Sequence, residues 1–198
     1  MEPSSVKVTN ICAKFNTGCY LNLDEIYTNE QYLILINKKY DISKFSGLTA
    51  KYLDTKITFM IYYTGNVVIT GGKIESDIEN AVNDLVLLLH LIGPYEAKVI
   101  NLKFTNYCGS YRFGSKVDIL KLCKDKPKVC DYNTELFTSM KYIIDKKRLT
   151  VTRNGVIFGT GFKSRDHLNT IFNDAITGIL PYISKLNDNK LIENGTTK

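Results

Sequence analysis

The chain repeats itself, and this repeat constrains the fold more than any other feature of the sequence. The triplet Asn-Ile-Cys at 10–12 opens the first half, and Asn-Tyr-Cys at 106–108 opens the second, 96 residues later (106 minus 10). The glycine-rich segment at 65–73 is echoed at 155–163, 90 residues later (155 minus 65). Because the motifs recur in the same order, the sequence predicts two repeats, at 6–93 and 97–184.

Each half combines short strand-like segments with one amphipathic helix. In the first half, segments rich in β-branched and aromatic residues predict strands at 6–15, 31–37, 48–53, 56–62 and 67–70. Ser76 and Glu79 form a predicted capping box before a helix, and Ser164 is the predicted cap of the second helix. These elements predict an α+β fold, with one continuous antiparallel sheet, two long helices on one face and an open face for binding.

Composition excludes several classes of protein. The longest apolar run, at 85–92, is far shorter than the roughly 18 residues that span a bilayer, and the N-terminus lacks a secretory signal. An intracellular protein with a disordered tail at 185–198 is therefore expected. The net charge of +6 favours an anionic partner, such as nucleic acid or a membrane surface, without choosing between them.

The sequence gives no sign of metal, cofactor or enzymatic chemistry. The five cysteines form no C-x-x-C pair, so reduced thiols are expected, and both histidines fall in predicted helices, where structural roles are expected. An enzyme remains the alternative from another class. However, there is no phosphate-cradling loop or nucleophile motif, and the chain has no room for the additional helical domain of DNA glycosylases.

Four segments carry a family resemblance. The stretch at 9–23 is similar to Q-N-I-V-x-T-V-N-L-G-C-x-L-D-L, and the stretch at 65–73 to S-G-K-x-V-x-T-G-A-K. In the second half, 103–110 is similar to K-I-Q-N-M-V-G-S, and 132–137 to Y-E-P-E-L-F. These are motifs of the TATA-binding protein family, and the matches run from about residue 8 to about residue 183. The resemblance implies a saddle-shaped basal transcription factor that binds the minor groove of A·T-rich promoter DNA and bends it.

The resemblance also implies which residues contact DNA. Asn10 and Asn106 correspond to two central asparagines that donate hydrogen bonds to base edges. In the minor groove A·T pairs show only acceptors, so amide donors distinguish A·T from G·C. Lys73 and Lys163 correspond to phosphate-binding lysines, although a solvated helix start is an alternative for both. Further implied contacts near the centre are Cys12, Cys108, Val68, Phe158, Thr70 and Thr160.

The implied aromatic wedges differ between the halves. Phe45 and Tyr62, supported by Met60, take the two wedge positions of the first repeat. In the second repeat Phe137 keeps the first position, but Thr152 stands where the second aromatic is expected. The lysine that follows each turn glycine in the family is also replaced, by Asn66 and Val156. These departures favour an alternative, a degenerate family member that acts as a protein-binding adaptor with weak or no specific DNA binding.

Partners follow from the same resemblance. Glu135 and Leu136 lie in the loop that would dock a transcription factor IIB-type protein, and the loop at 40–44 would dock a factor IIA-type protein. RNA polymerase is the final partner, and no membrane is expected. The first helix is acidic where the family is basic, through Glu75, Asp77, Glu79 and Asp84. The chain is expected to be a monomer on DNA, with a homodimer left open for the free protein, in the nucleus or at a cytoplasmic viral replication site.

Overall fold

A computed structural model describes residues 5–31, 33–53 and 55–184. The predicted disordered tail at 185–198 lies outside these residues. Within the described ranges, no helix is long and apolar enough to cross a membrane.

Ten strands form one antiparallel sheet in the order β2-β3-β4-β5-β1-β6-β10-β9-β8-β7. The strands are β1 (Lys7–Asn16), β2 (Leu35–Asp41), β3 (Phe45–Tyr52), β4 (Thr58–Tyr62), β5 (Asn66–Gly72), β6 (Ile100–Arg112), β7 (Cys130–Asp131), β8 (Ser139–Ile144), β9 (Lys147–Thr152) and β10 (Val156–Phe162). The helices are α1 (Leu23–Thr28), α2 (Glu75–Ile92), α3 (Ile119–Asp125) and α4 (Arg165–Ile179), and a short 3-10 helix (Leu180–Tyr182) follows. The predicted α+β class with a continuous antiparallel sheet is confirmed.

The described chain divides into two units. The first unit contains Val8–Gly109 and Thr160–Leu168, and the second contains Ser110–Gly159 and the chain from Asn169 onwards, together with the residues before Val8. Strands β6 and β10 pass from one unit into the other. As a result, both central asparagines and both threonines of the predicted binding site belong to the first unit.

Alternating burial gives each strand one core face and one open face. In β4, Phe59 and Ile61 are fully buried, while Met60 and Tyr62 are only half-buried. Helix α2 likewise buries the apolar residues Ile78, Val82, Leu85 and Leu89, which follow one another at helical spacing. Burial of one such side chain contributes about 1.5–3 kcal/mol, so these faces hold the fold together.

The predicted cap of α2 is wrong, and the predicted cap of α4 is correct. The N-cap of α2 is Ile74, which makes no side-chain hydrogen bond, and Ser76 lies inside the helix. The helix begins at Glu75, and Ile78 in its first turn packs directly against Gly72, where an added Cβ would come within 2.5 Å of the isoleucine. Ser164, in contrast, accepts a hydrogen bond from the backbone N–H of His167 at 3.1 Å, as a cap should.

Three elements differ from the sequence predictions. Helices α1 and α3 were not predicted, although each begins at a capping side chain: Asn22 accepts from two backbone N–H groups of α1, and Asp118 accepts from one of α3. The strand predicted at 31–37 lies at Leu35–Asp41. This strand lies at the edge of the sheet and is largely polar. The apolar residues on which the prediction was based therefore cover only its first residues.

Candidate nucleic-acid interface

Two asparagine side chains occupy equivalent positions on β1 and β6. The Oδ1 atom of Asn10 accepts a hydrogen bond from the backbone N–H of Gly71 at 2.7 Å, and that of Asn106 accepts from Gly161 at 2.8 Å. Each amide oxygen is therefore engaged by the backbone of a neighbouring strand. An amide has two N–H donors, so the side chain is oriented to offer a ligand donors rather than its acceptor.

Glycine is required at the two positions that hold these amides. Gly71 has φ +96° and Gly161 has φ +86°, in the left-handed region that glycine adopts readily. A Cβ atom at Gly71 would lie only 1.8 Å from the carbonyl oxygen of Lys56. The pairing of β1 with β5 also shifts register between Ile11 and Ala13, which marks a bulge beside the amide. The glycine of each repeated motif thus aims a backbone N–H at an asparagine.

In the first repeat the amide belongs to a closed ring of hydrogen bonds. Asn10 Nδ2 donates to Cys12 Sγ at 3.3 Å, Cys12 Sγ donates to Thr70 Oγ1 at 3.6 Å, and Thr70 Oγ1 donates to Asn10 Oδ1 at 3.3 Å. In the second repeat, Asn106 donates to Cys108 Sγ at 3.4 Å in the same way. Sulfur is a weak acceptor, so a base-edge oxygen or nitrogen is a better partner for the amide hydrogens.

An ion pair lies on the core side of this centre. Arg165, at the start of α4, binds Glu75, at the start of α2, at 2.6 Å, and also donates to the carbonyl oxygen of Lys73 at 3.2 Å. The hydrogen bond from Arg165 lowers the pKa of the Glu75 carboxyl below its usual value. Burial and the nearby Glu75 charge raise the pKa of Tyr107 to about 12. The cluster joins the two segments that follow β5 and β10, and the sequence patterns did not predict it.

The first unit contains a pair of aromatic rings on its open face. Phe45 on β3 and Tyr62 on β4 meet edge to face, with ring centroids 5.7 Å apart, and Phe45 is 40% exposed. Gly47 lies opposite Tyr62 in the strand pairing, and an added Cβ there would lie 2.9 Å from the Phe45 ring and 3.1 Å from the Tyr62 ring. The pair therefore depends on a glycine beneath it. Met60 lies on the same face, opposite Val68 of β5.

The second unit has the same backbone arrangement with different side chains. Ser139 lies opposite Thr152, as Gly47 lies opposite Tyr62. The carbonyl oxygen of Thr152 accepts a hydrogen bond from the N–H of Gly155 at 3.1 Å, just as that of Tyr62 accepts from Gly65 at 2.9 Å. The Thr152 hydroxyl accepts from the N–H of Val156, so it is engaged within its own turn. One exposed wedge candidate, Phe137, remains at this end, and it is 65% exposed.

The repeated geometry agrees with comparisons to known proteins. The family model described as "Transcription factor TFIID (or TATA-binding protein, TBP)" matches residues 5–91 and 101–186. The chain belongs to the TATA-binding protein family. This is a family of DNA-binding transcription factors without enzymatic activity.

Individual relatives support this assignment. The chain is 27% identical to the TATA-box-binding protein-like 1 of Entamoeba histolytica over 84% of this chain and 76% of that protein. It is 26% identical to the TATA-box-binding protein of Thermococcus celer over 83% of this chain and 85% of the relative. The solved structure of Methanococcus jannaschii TBP has the same fold, with a TM-score of 0.73 at 22% identity, over 89% of this chain and 99% of that one.

The remaining predicted residues of this family member lie mostly at the surface. Phe158 and Thr160 on β10 are exposed, Phe158 to 47%, and the side chains of Lys73 and Lys163 are also exposed. In the loop before β8, Glu135 is exposed and Leu136 is 70% exposed. This loop is ordered by Asn133, which accepts the N–H groups of the next residues through its side chain and carbonyl.

The loop between β2 and β3 is held by its own side chains. Asp41 accepts from the backbone N–H and the hydroxyl of Ser43 and forms an ion pair with Lys44 at 2.8 Å. The hydrogen bond from Lys44, followed by those from Ser43, lowers the pKa of the Asp41 carboxyl. The loop therefore presents a defined turn at the outer edge of the first unit.

Both histidines make contacts within the protein. His90 contacts the carbonyl oxygen of Ala97 at 2.9 Å, and the ring of His167 packs edge to face on Phe162. All five cysteines are free thiols. Burial raises the pKa of the Cys130 thiol to about 12, which keeps it protonated. Within the described ranges, no group of three His, Cys, Asp or Glu side chains could hold a metal ion.

Proposed function

We propose that the chain binds A·T-rich promoter DNA in the minor groove to initiate transcription. The orientation of the two central amides carries this proposal. Because Gly71 and Gly161 engage the amide oxygens, Asn10 and Asn106 present N–H donors to a ligand. A·T pairs offer only acceptors in the minor groove, whereas a G·C pair adds the guanine amino group, a donor that would face another donor.

We also propose that the DNA is kinked most strongly at the end that meets the first unit. The exposed Phe45 and the half-buried Tyr62 would form a two-ring wedge there, and Phe137 would wedge the other end alone. Insertion of a ring unstacks a base step, and this cost is offset by burial of apolar surface against the flattened groove. The bend follows from wedges at two separate steps.

The proposed partners dock outside the strand faces. The exposed Leu136, with Glu135 beside it, would receive a transcription factor IIB-type protein, which would bring RNA polymerase to the bent DNA. A factor IIA-type protein would meet the turn at Asp41. The proposed repeats are 6–93 and 97–184, each covering one half of the site. The nucleus is the proposed location, as for the TATA-binding proteins of eukaryotes.

A second function is favoured by one specific observation. Thr152 replaces a wedge ring and turns its hydroxyl into its own backbone turn, so the second unit is less equipped to deform DNA. A family member without this second wedge would use its sheet to bind protein partners, as an adaptor. The two functions differ in one measurable property, which is A·T-selective binding.

The test compares a TATA-box duplex with a G·C-rich duplex by equilibrium binding, with fluorescence energy transfer between the DNA ends. Asn10→Ala with Asn106→Ala should reduce the selectivity for A·T at least tenfold, because each good base contact contributes about 1–3 kcal/mol. Asn83→Ala, on the exposed side of α2, is the matched control and should change nothing. Equal binding of both duplexes by the unaltered protein would reject the promoter function in favour of the adaptor.

A further inference from the structure

The open face of β9 differs from that of its counterpart in the first unit, β4, at three successive positions. The open face of β4 carries threonine, methionine and tyrosine, at 58, 60 and 62. The open face of β9 carries Arg148, Thr150 and Thr152 at the same places in the repeat, 90 positions later (148 minus 58). The second unit therefore presents one long cation and two short hydroxyls where the first presents bulky apolar side chains.

The strand pattern places Arg148 on the open face. Leu149 and Val151 are fully buried, so alternation turns Arg148 to the opposite side, where it is exposed. Ile143 of β8 lies opposite Arg148 in the strand pairing. An apolar neighbour of this kind supports the aliphatic stem of an arginine and leaves its charged head in water. Because the two threonines that follow on this face are shorter, the guanidinium is the group of β9 that reaches furthest toward a ligand.

The charge of Arg148 is not compensated by an ion pair. Strands β8, β9 and β10 contain no Asp or Glu in their whole length. In the described part of the chain the guanidinium makes no ion pair with any residue, including Asp145 in the turn before β9. A second cation of this face, Lys141 of β8, is engaged, since it donates to Thr150 Oγ1 at 2.9 Å and lies opposite Asp131 of β7. Arg148 is therefore available to an anionic ligand.

The chain segment that contains β9 also carries the net positive charge. Residues 110–159 of the second unit include eleven Lys and Arg and five Asp and Glu, a net charge of +6 (11 minus 5). Residues 8–109 of the first unit include nine and ten, a net charge of −1 (9 minus 10). Charge of one sign attracts an anionic partner over a distance of about 10 Å at 0.1 M salt. The unit with the weaker wedge is thus the unit that attracts DNA electrostatically.

The weaker wedge also determines what kind of groove Arg148 would meet. Ring insertion unstacks a base step and opens the minor groove, and the second unit offers one wedge candidate, Phe137. A minor groove that stays narrower has a more negative potential, which attracts arginine side chains into it. The donors of a guanidinium fit the acceptors of an A·T pair, whereas the amino group of guanine opposes them.

We propose that Arg148 enters the minor groove of the half-site that meets the second unit and selects A·T pairs there. This inference rests on the proposed minor-groove function and names a specificity-determining residue without a charged counterpart in the first unit, where Thr58 stands at its position. The first unit would then hold its half-site by wedging, and the second by a cation within the groove.

The experiment places a single G·C pair at each position of a TATA-box duplex in turn and measures the affinity of the full chain for every duplex. One unfavourable pair in a contacted position weakens binding about 5-fold to 150-fold. In the Arg148→Gln protein this penalty should disappear at one position and remain at the others. The position should lie in the half-site that Phe137 kinks, which dyes at the duplex ends identify because Phe137→Ala removes that kink.

A salt series provides a second readout and a matched control. Arg148→Gln should lower the slope of log affinity against log salt by about 0.9, and Arg148→Lys, which keeps the charge, should preserve it. Lys124→Gln removes an exposed cation of the same unit from the core side of the sheet. Its helix α3 lies there because Cys123 Sγ is 3.3 Å from the sulfur of the buried Met140. This variant should change neither the slope nor any positional penalty.

Four outcomes would overturn the inference, once circular dichroism has shown that each variant is folded. A lower slope with every positional penalty intact would make Arg148 a phosphate contact, because such contacts weaken all sequences alike. The same loss in Lys124→Gln would reduce the effect to general charge. Unchanged slope and penalties in Arg148→Gln, with A·T-selective binding by the unaltered protein, would remove Arg148 from the interface and leave the proposed function standing. Absence of A·T-selective binding by the unaltered protein would reject the proposed function and this inference with it.

Discussion

The two ends of the molecule share a backbone arrangement but not its side chains. Gly47 opposite Tyr62 in the first unit corresponds to Ser139 opposite Thr152 in the second, and both second members close a turn three residues before a glycine. The first end carries two rings in contact and the second carries Phe137 without a ring at position 152. The strand pairing is therefore the same at both ends, although only the first end has an aromatic pair.

The pairing of the strands does not depend on which side chains stand on the open face. The register is fixed by buried residues such as Phe59 and Val151, which cannot change face without exposing the core. Tyr62 and Thr152 point away from the core, so either residue fits the same strand. The asymmetry should then appear in how the DNA is deformed, and not in whether the sheet forms.

Removal of the first wedge should have the largest effect. Phe45→Ala with Tyr62→Ala should weaken TATA-box binding at least tenfold, because stacking of a base on an aromatic ring contributes about 1–3 kcal/mol. Phe137→Ala removes a single ring and should cost less. Dyes placed at either end of the duplex would report each kink separately. Equal losses at the two ends would show that the asymmetry of the side chains does not reach the DNA.

Rebuilding the second wedge should have a smaller effect of opposite sign. Ser139→Gly with Thr152→Tyr would copy the first unit, and the new ring would meet Phe137 over a glycine. An aromatic pair contributes about 0.5–1.5 kcal/mol beyond its buried area, so binding should tighten a few-fold and the bend should increase. Thr152→Val, which adds no ring, is the control. If the rebuilt protein bends DNA no more than the unaltered one, the missing ring is not what limits the second end.

The sequence predicted the parts of the fold that depend on periodicity. Alternating apolar residues located β1 nearly to the residue, and helical spacing located the body of α2, because burial enforces both patterns. The predicted position of the edge strand β2 was wrong by four residues because few of its side chains are buried, so it has no clear apolar pattern. The predicted cap at Ser76 was wrong: α2 begins at Glu75, and its first turn packs on Gly72 through Ile78, a tertiary contact that a capping pattern does not reveal.

The sequence predicted where the candidate site lies, but it did not predict how the side chains of the site are oriented. The repeated motifs pointed to Asn10 and Asn106, but the glycine N–H groups that orient their amides lie about 60 positions away in the sequence. The contact between Arg165 and Glu75 joins residues that are still further apart, 90 positions in the sequence. Gly47 carries no motif, and its role appears only when the register places it opposite Tyr62.

The most direct test of the account replaces A·T pairs of a TATA-box duplex with inosine·cytosine pairs. Inosine lacks the guanine amino group, so the minor groove keeps the acceptor pattern of A·T while the major groove resembles G·C. If the amides of Asn10 and Asn106 donate into the minor groove, the inosine duplex should bind nearly as tightly as the TATA-box duplex, and far more tightly than a G·C duplex. Binding of the inosine duplex as weak as that of the G·C duplex would contradict the account.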